Sequence, residues 1–266
     1  MTAFSRRRFL TTALQGAALT ALGACASVPI TTVRPNSWTA STAPMAPGLE
    51  PAIQPFFVDP GLDNALEGDP DYIAMYAPIS TEPFPVRAVD PLRFDPKFLR
   101  QRVRYSTDMP AGSIVVDPTA HLLYFVQDGG WAVRYGVGTG KAGFTWSGEA
   151  YIKFKREWPD WYPAPEYVAR HPELPAKLAK LQSGMGIEGG PRNPIGARGL
   201  YLWQDNVDTL FRIHGTLEPY SIGTSVSSGC IRMINQDAID LYKRVQEGAR
   251  VRVIGPGEGT QAIASI

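Results

Sequence analysis

From about Arg102 onward the chain sets short apolar, β-branched and aromatic runs between turn-forming residues. Residues 103–107, 113–116 and 122–126 read as strands. Asp117-Pro118-Thr119-Ala120 turns between the second and the third, and Asp128-Gly129-Gly130 makes a hairpin turn into a strand over 131–137. Residues 151–158 alternate Tyr151, Lys153 and Lys155 against Ile152, Phe154 and Arg156, a period of two that predicts another strand. Runs at 200–203, 210–214 and 250–254 complete the set. Many short strands at regular intervals predict a mainly β fold, an antiparallel sandwich or barrel with one or two helices and a long lid loop.

Two stretches break that rhythm. Residues 166–181 carry helical pattern in pieces, interrupted by Pro172 and Pro175. Residues 235–247 give the clearest helix, with Asn235 as its cap, Ala238, Ile239, Tyr242 and Val245 on one face, and Gly248 ending it. Ahead of the strands, residues 27–55 are rich in Pro, Thr, Ser and Ala and read as a tether. Residues 56–101 read as an irregular extension packed on the domain that follows, with a short helix around Ala65 or Tyr72. The strand-rich domain is placed at 102–255 and a tail at 256–266.

Composition agrees with such a fold. The 266 residues include 44% hydrophobic and 19% charged side chains, enough for a packed core, and the 24 prolines and 26 glycines favour strands and loops over helices. With a net charge of +1 and no basic stripe, nothing argues for a nucleic-acid binder. The first 26 residues read as a targeting segment. Ser5-Arg6-Arg7-Arg8-Phe9-Leu10 resembles the twin-arginine export signal of bacteria, and the apolar run after it falls short of the about 20 residues that a membrane span needs. Leu22-Gly23-Ala24-Cys25 resembles a lipobox, which predicts lipidation at Cys25. Ala24-Cys25-Ala26 also fits an ordinary signal-peptidase site. Either cleavage removes Arg6, Arg7 and Arg8, leaving 23 basic and 25 acidic side chains. It also leaves Cys230 as the sole thiol of the remaining protein, with no partner for an internal disulfide in an oxidising periplasm.

The candidate chemistry lies in residues 213–233, IHGTLEPYSIGTSVSSGCIRM. This stretch holds one of three histidines, His214, and one of two cysteines, Cys230, joined by Gly-, Ser-, Thr- and Pro-rich chain that supplies turns. A free thiol has a pKa of roughly 8.5, so at neutral pH it needs a base. An imidazole with a pKa near ~6.5 can take its proton and form a thiolate–imidazolium pair. The other ring nitrogen then needs an orienting partner, and the Gly215 carbonyl is the nearest. Gly229 lets successive backbone N–H groups converge as an oxyanion hole. His121 and His171 read as structural or exposed, and three scattered histidines give no metal-ligand spacing.

His-Gly-Thr at 214–216, followed by Ser227-Ser228-Gly229-Cys230-Ile231-Arg232-Met233, resembles the signature of the L,D-transpeptidase catalytic domain, the YkuD-type family. The resemblance extends over about 111–254 and takes in Gly190-Pro191-Arg192-Asn193-Pro194-Ile195-Gly196. It implies Cys230 as acyl-forming nucleophile, His214 as base, the Gly215 carbonyl orienting the imidazole, and the N–H groups of Gly229 and Cys230 as oxyanion donors. Arg232 would brace the loop or meet a substrate carboxylate. Ser227, Ser228, Thr216, Asn193, Trp158 and Trp161 are the further candidates for substrate contact. Many members carry His where this chain has Ser228. Residues 158–193 would form a lid or cleft wall, and the rings of Trp158-Pro159-Asp160-Trp161-Tyr162-Pro163 suit either a sugar-peptide cleft or a core under a long loop.

The activity so implied needs no cofactor. Cys230 attacks the L-to-D bond of a tetrapeptide stem in peptidoglycan, releases D-alanine, and passes the acyl group to an amine on a neighbouring stem. Water, or the amine of an outer-membrane protein, is the alternative acceptor, giving a carboxypeptidase, a hydrolase or a protein-to-wall ligase. A non-catalytic wall-binding module is a further alternative, against which the intact His-Gly-Thr and Ser-Gly-Cys-Ile-Arg stand. Twin-arginine export predicts a periplasmic enzyme that meets a membrane through a lipid anchor alone.

Overall fold

The computed structural model describes residues 70–141, 146–227 and 229–255. The signal segment with Cys25, the tether, residues 56–69 of the extension with Ala65, Ser228, and the tail at 256–266 lie outside the described residues.

In chain order the elements are α1 (Tyr72–Met75), β1 (Gln101–Arg104), β2 (Ile114–Asp117), β3 (Leu122–Gln127), β4 (Trp131–Gly136), β5 (Thr139–Gly140) and β6 (Gly148–Glu157). Then come α2 (Pro165–Arg170), β7 (Ala179–Leu181), β8 (Gly184–Gly186), β9 (Arg198–Gln204), β10 (Val207–His214), β11 (Ser225–Ser227), β12 (Ile231–Arg232), α3 (Asn235–Arg244) and β13 (Arg250–Val253). The fold is mainly β, as the strand pattern predicts. Among the described residues its main sheet has nine strands in the order β1-β4-β3-β2-β13-β6-β9-β10-β12. Against the expected antiparallel sandwich or barrel, the sheet is mixed: β13 runs parallel to β2, and β12 runs parallel to β10. Parallel neighbours cannot be joined by a tight turn. The chain therefore leaves β10 at His214, crosses over through residues 215–230, and re-enters beside it at Ile231.

Alternation within the strands builds apolar surface on both faces of the sheet. Ile114, Val116, Leu123, Phe125, Val133 and Tyr135 join Leu200, Leu202, Ile213, Ile231 and the α3 residues Ala238 and Leu241 in the largest core cluster. Their neighbours Val115, Leu122, Tyr124, Val126 and Ala132 form a second cluster with Tyr105 and Met109. Neighbouring residues of one strand thus enter different cores, as a period of two requires.

The described part of the extension packs on α3. Tyr76 is fully buried with Val89, Leu99, Ile222 and Ile234. Its hydroxyl donates to Asp237 (3.1 Å) and accepts from the Arg100 N–H (2.8 Å). The Gln236 amide donates to the carbonyls of Tyr76, Ala77 and Arg87. Beneath these, Asp240 gathers Arg100 (2.8 Å), Arg244 (2.7 Å) and the Tyr135 hydroxyl (2.6 Å).

Two sequence expectations need correction here. Asn235 does not cap α3: Ile234 holds the cap position, without a side-chain cap bond, and the helix ends at Arg244 rather than Glu247. Residues 166–181 are helical only over Pro165–Arg170 and one 3-10 turn at Pro175–Lys177, after which the chain forms the β7–β8 hairpin.

Candidate active site

The parallel β10–β12 pair places the site. Ile213 aligns with Ile231 and His214 with Arg232. Aligned residues of a parallel pair point to the same side, so Ile213 and Ile231 both enter the core while His214 and Arg232 share the opposite face. Two positions back along each strand direction lie Arg212 and Cys230, on that same face. His214 is thus diagonal to Cys230 across the pair.

His214 is buried. Its Nδ1 lies 2.6 Å from the Gly215 carbonyl. A carbonyl only accepts, so Nδ1 carries the hydrogen and Nε2 presents its lone pair as the base. Burial pushes the imidazole down to about 4, and the Gly215 and Ile195 carbonyls, which favour the charged ring, do not offset burial and the positive charges of Arg232 and Arg212. At neutral pH the ring is neutral.

The half-buried Cys230 thiol is also held neutral. Burial pushes it up, against the pull of Arg212 (its charge and its backbone N–H) and of Arg232. The thiolate–imidazolium pair is therefore not the resting state: burial widens the gap between the two groups that ordinary values already give, and the resting site is a neutral thiol and a neutral imidazole. Such a pair works by general-base catalysis, with the proton leaving sulfur as the carbon–sulfur bond forms.

Asn235, released from capping, ties the turn after His214. Its Oδ1 accepts from the Ala197 N–H (3.0 Å) and its Nδ2 donates to the Thr216 carbonyl (2.9 Å). A Cβ at Gly215 would collide with the Asn235 Oδ1, so only glycine fits between them. The Gly215 N–H donates to the Arg198 carbonyl (3.1 Å), and the Met233 N–H to the His214 carbonyl (2.7 Å). The imidazole is fixed from both strands.

The nucleophile loop is held by Ser227. Its buried hydroxyl donates to the Cys230 carbonyl (2.6 Å) and accepts from the Gly229 N–H (3.2 Å). Gly229 has φ +125°, where a side chain would be strained. With its N–H turned to Ser227, Gly229 shapes the loop; this replaces the expectation that it aims a free donor at the substrate.

Other candidates are distributed unevenly. Arg232 pairs with Glu218 (2.8 Å), which projects from the crossover. The Thr216 hydroxyl accepts from the Glu218 N–H (3.1 Å) and is buried. Asn193 is not positioned for substrate: it is fully buried, with its Nδ2 donating to the carbonyls of Pro159, Ile187 and Glu188 and its Oδ1 accepting from the Ile195 N–H. It clips the root of segment 158–193. Trp158 packs with Ile79 against Val86, Ala197 and Ile239, so its ring is core-facing. Trp161 lies within the segment, bridged to Ile187 and edge-on to Tyr167 (5.3 Å). Ser228 lies outside the described residues. Among those described, no group of three or more His, Cys, Asp or Glu residues is arranged to hold a metal.

Sequence reasoning missed two residues beside the thiol. Arg212 follows from a period of two back from His214. Its guanidinium is tied by both nitrogens to Asp208 (2.7 Å each) and lies 4.4 Å over the Tyr201 ring. Leu210 had no signal, since no glycine or proline marks the bulge between Asp208 and Arg212. It is exposed at φ +62°, and its carbonyl lies 4.0 Å from the Cys230 sulfur. Bulges of this kind re-aim backbone groups beside active sites.

Comparison with known proteins settles the family. The family model for the L,D-transpeptidase catalytic domain (YkuD) matches residues 111–253, which include His214, Cys230 and all the strands from β2 to β13. The chain belongs to the L,D-transpeptidase family. A probable L,D-transpeptidase of Escherichia coli K12, ErfK/SrfK, is 32% identical over 151 residues, 54% of this chain and 44% of the relative. The Bacillus subtilis putative L,D-transpeptidase YkuD is 48% identical over 62 residues, 23% of this chain and 37% of its own. A solved Brucella melitensis chain, described as a probable carnitine operon oxidoreductase, is 46% identical, covering 57% of this chain and 91% of that one, with a TM-score of 0.41. The chain spans less than half the length of the curated relatives it matches. Its extension, with Glu82, Tyr76 and Arg100, lies outside the matched family domain.

Proposed function

We propose that this protein is a peptidoglycan L,D-transpeptidase acting through a cysteine acyl-enzyme. The observation that carries the reading is the shared face of β10 and β12, where His214, oriented by the Gly215 carbonyl, stands diagonal to Cys230. In the reaction Cys230 Sγ attacks the carbonyl of the L-to-D bond in a tetrapeptide stem while His214 Nε2 takes the thiol proton. The Cys230 N–H is the backbone donor for the oxyanion. The imidazolium then gives its proton to the departing D-alanine nitrogen, leaving a thioester on Cys230. An amine of a second stem, deprotonated by His214, attacks the thioester, forms the cross-link and releases the thiol.

The arginine and lipobox patterns extend the proposal to a periplasmic enzyme exported by the twin-arginine route and anchored through Cys25. Products from a purified disaccharide-tetrapeptide test the reaction. A cross-linked dimer with release of D-alanine is expected. Tripeptide alone makes water the acceptor, and no turnover with intact, alkylatable Cys230 overturns the transpeptidase reading. Retention of Cys25-containing protein in the soluble fraction after processing overturns the anchor.

A further inference from the structure

We propose that Glu82 and Phe84, ahead of the family domain, brace the root of segment 158–193 and so set the donor cleft, with Glu82 a positioning residue for the donor stem. This rests on reading that segment as the cleft wall of a transpeptidase.

Residues 79–86 form a small loop closed by paired backbone bonds between Ile79 and Val86 (3.0 Å each). Its tip reaches two residues of the catalytic domain at once. The Glu82 carboxylate takes the Arg198 guanidinium at 2.6 and 2.8 Å and the Trp158 indole N–H at 2.9 Å. Phe84 meets the Trp158 ring edge-on, centroids 5.2 Å apart. Trp158 is where β6 turns into the segment, and it does so at φ +43°, a left-handed conformation that a bulky side chain adopts only when its surroundings impose it. Its N–H is bonded to the Ala197 carbonyl (2.9 Å). The ring pinned by Glu82 and Phe84 therefore holds the strained turn from which residues 159–193 depart.

The brace also touches the base. Arg198 is buried, and its carbonyl receives the Gly215 N–H. The second carboxylate near it, Glu157, stands 3.9 Å away and is half exposed, so Glu82 is the main countercharge. Burial alone would raise the Glu82 carboxyl; the bonds from Arg198 and Trp158 outweigh it and hold it below the usual range. One carboxylate from outside the family domain thus joins the wall of the cleft to the strand that orients His214.

The test uses the full chain with Phe84→Ala, which removes only the ring contact, and Glu82→Gln, which removes the countercharge. Amide exchange across 158–193 and the donor KM, kcat and iodoacetamide alkylation rate of Cys230 are measured, with Phe84→Tyr as the conservative control. Exchange in the segment should rise at least severalfold and donor KM rise severalfold in both variants. In Phe84→Ala the kcat and the alkylation rate should stay within twofold of native, and Phe84→Tyr should keep native values. Native exchange and native KM in both variants overturn the brace. So does alkylation that falls in parallel with donor use in Phe84→Ala, which marks collapse of the site itself. If the native chain turns over no tetrapeptide, the transpeptidase reading fails on its own, and amide exchange alone decides the brace.

Discussion

The Ser227 hydroxyl sits between the two ends of the nucleophile turn, donating to the Cys230 carbonyl at 2.6 Å while accepting the Gly229 N–H at 3.2 Å. It acts through the backbone that carries the reacting sulfur. Ser227→Ala removes both bonds from a buried turn. At about 1 kcal/mol for each bond, stability should fall by roughly 1–3 kcal/mol. Acylation of Cys230 by a carbapenem should slow by about ten- to a hundredfold, since loss of about 1.4 kcal/mol of transition-state positioning is a factor of ten. Intact-mass time courses read the rate, and thermal melts read the stability. Native acylation in a folded Ser227→Ala protein would remove Ser227 from the positioning of the nucleophile.

The depressed imidazole gives a pH prediction with a definite sign. His214 is pushed down to about 4 in the folded chain, below an unfolded value near ~6.5. It is the neutral form that acts as base, so the acid limb of acylation should fall as pH drops through about 4, well below an ordinary histidine. The unfolded chain binds the extra proton first, so this group costs stability as pH falls from about 6.5 to about 4, roughly 3 kcal/mol in all. His214→Gln should abolish that slope and slow acylation by orders of magnitude. An acid limb centred near 6.5 would show that burial does not hold the ring neutral.

Some of this was legible in the sequence because it depends on local pattern. The strands came from period-two runs, and His214 and Cys230 came from scarce residues embedded in turn-formers. The parallel pairing of β10 and β12 was not legible, because it depends on the path of the crossover rather than on any residue within it. That pairing decides which neighbours matter. It puts Arg212 and Arg232 beside the pair and buries both groups, and it is the burial that holds the resting site neutral. Asn235 misled for a related reason. An Asn before a helical pattern predicts a cap, but here Gly196 and Gly215 leave room for its amide, and tertiary bonds to Ala197 and Thr216 win over the local one. The motif around Asn193 suggests a substrate contact, but three of its four backbone bonds go to Pro159, Ile187 and Glu188, which no short motif contains.

Arg232 and Glu218 are bonded at 2.8 Å, but Glu218 is largely exposed while Arg232 is not. An exposed partner adds about 0–1 kcal/mol at most, so Glu218→Ala should leave the melting temperature nearly unchanged. Its effect should appear in binding. Freed from Glu218, Arg232 is available to a donor carboxylate, and donor KM should fall or hold, whereas Arg232→Ala should raise it roughly tenfold, the loss expected for one charge-assisted bond. Steady-state kinetics on both variants checks this. A KM in Arg232→Ala equal to native would leave Arg232 as a brace for the loop.

The two buried aspartates of α3 should respond unequally to loss of charge. Asp240 is held below the usual carboxylate range because Arg100 and Arg244 outweigh its burial. Removing its charge in Asp240→Asn strands two guanidinium groups and should cost about 3–5 kcal/mol. Asp237 sits one turn back, raised to about 7 because burial and the charge of Asp240 outweigh Arg100 and the Tyr76 hydroxyl. Below that pH it is largely protonated, so Asp237→Asn should cost about 1 kcal/mol or less at pH 6. The sign of its pH dependence also differs from that of His214. The folded chain holds a proton that the unfolded chain releases near pH 4, so this group contributes stability at low pH that is lost as pH rises toward about 7. The native melting curve between pH 4 and 7 therefore sums two opposed slopes. Asp237→Asn should leave stability rising with pH over that window, and His214→Gln should leave it falling. Melts of both variants across the window check the pair; identical slopes in the two would show that neither group is perturbed as its surroundings require.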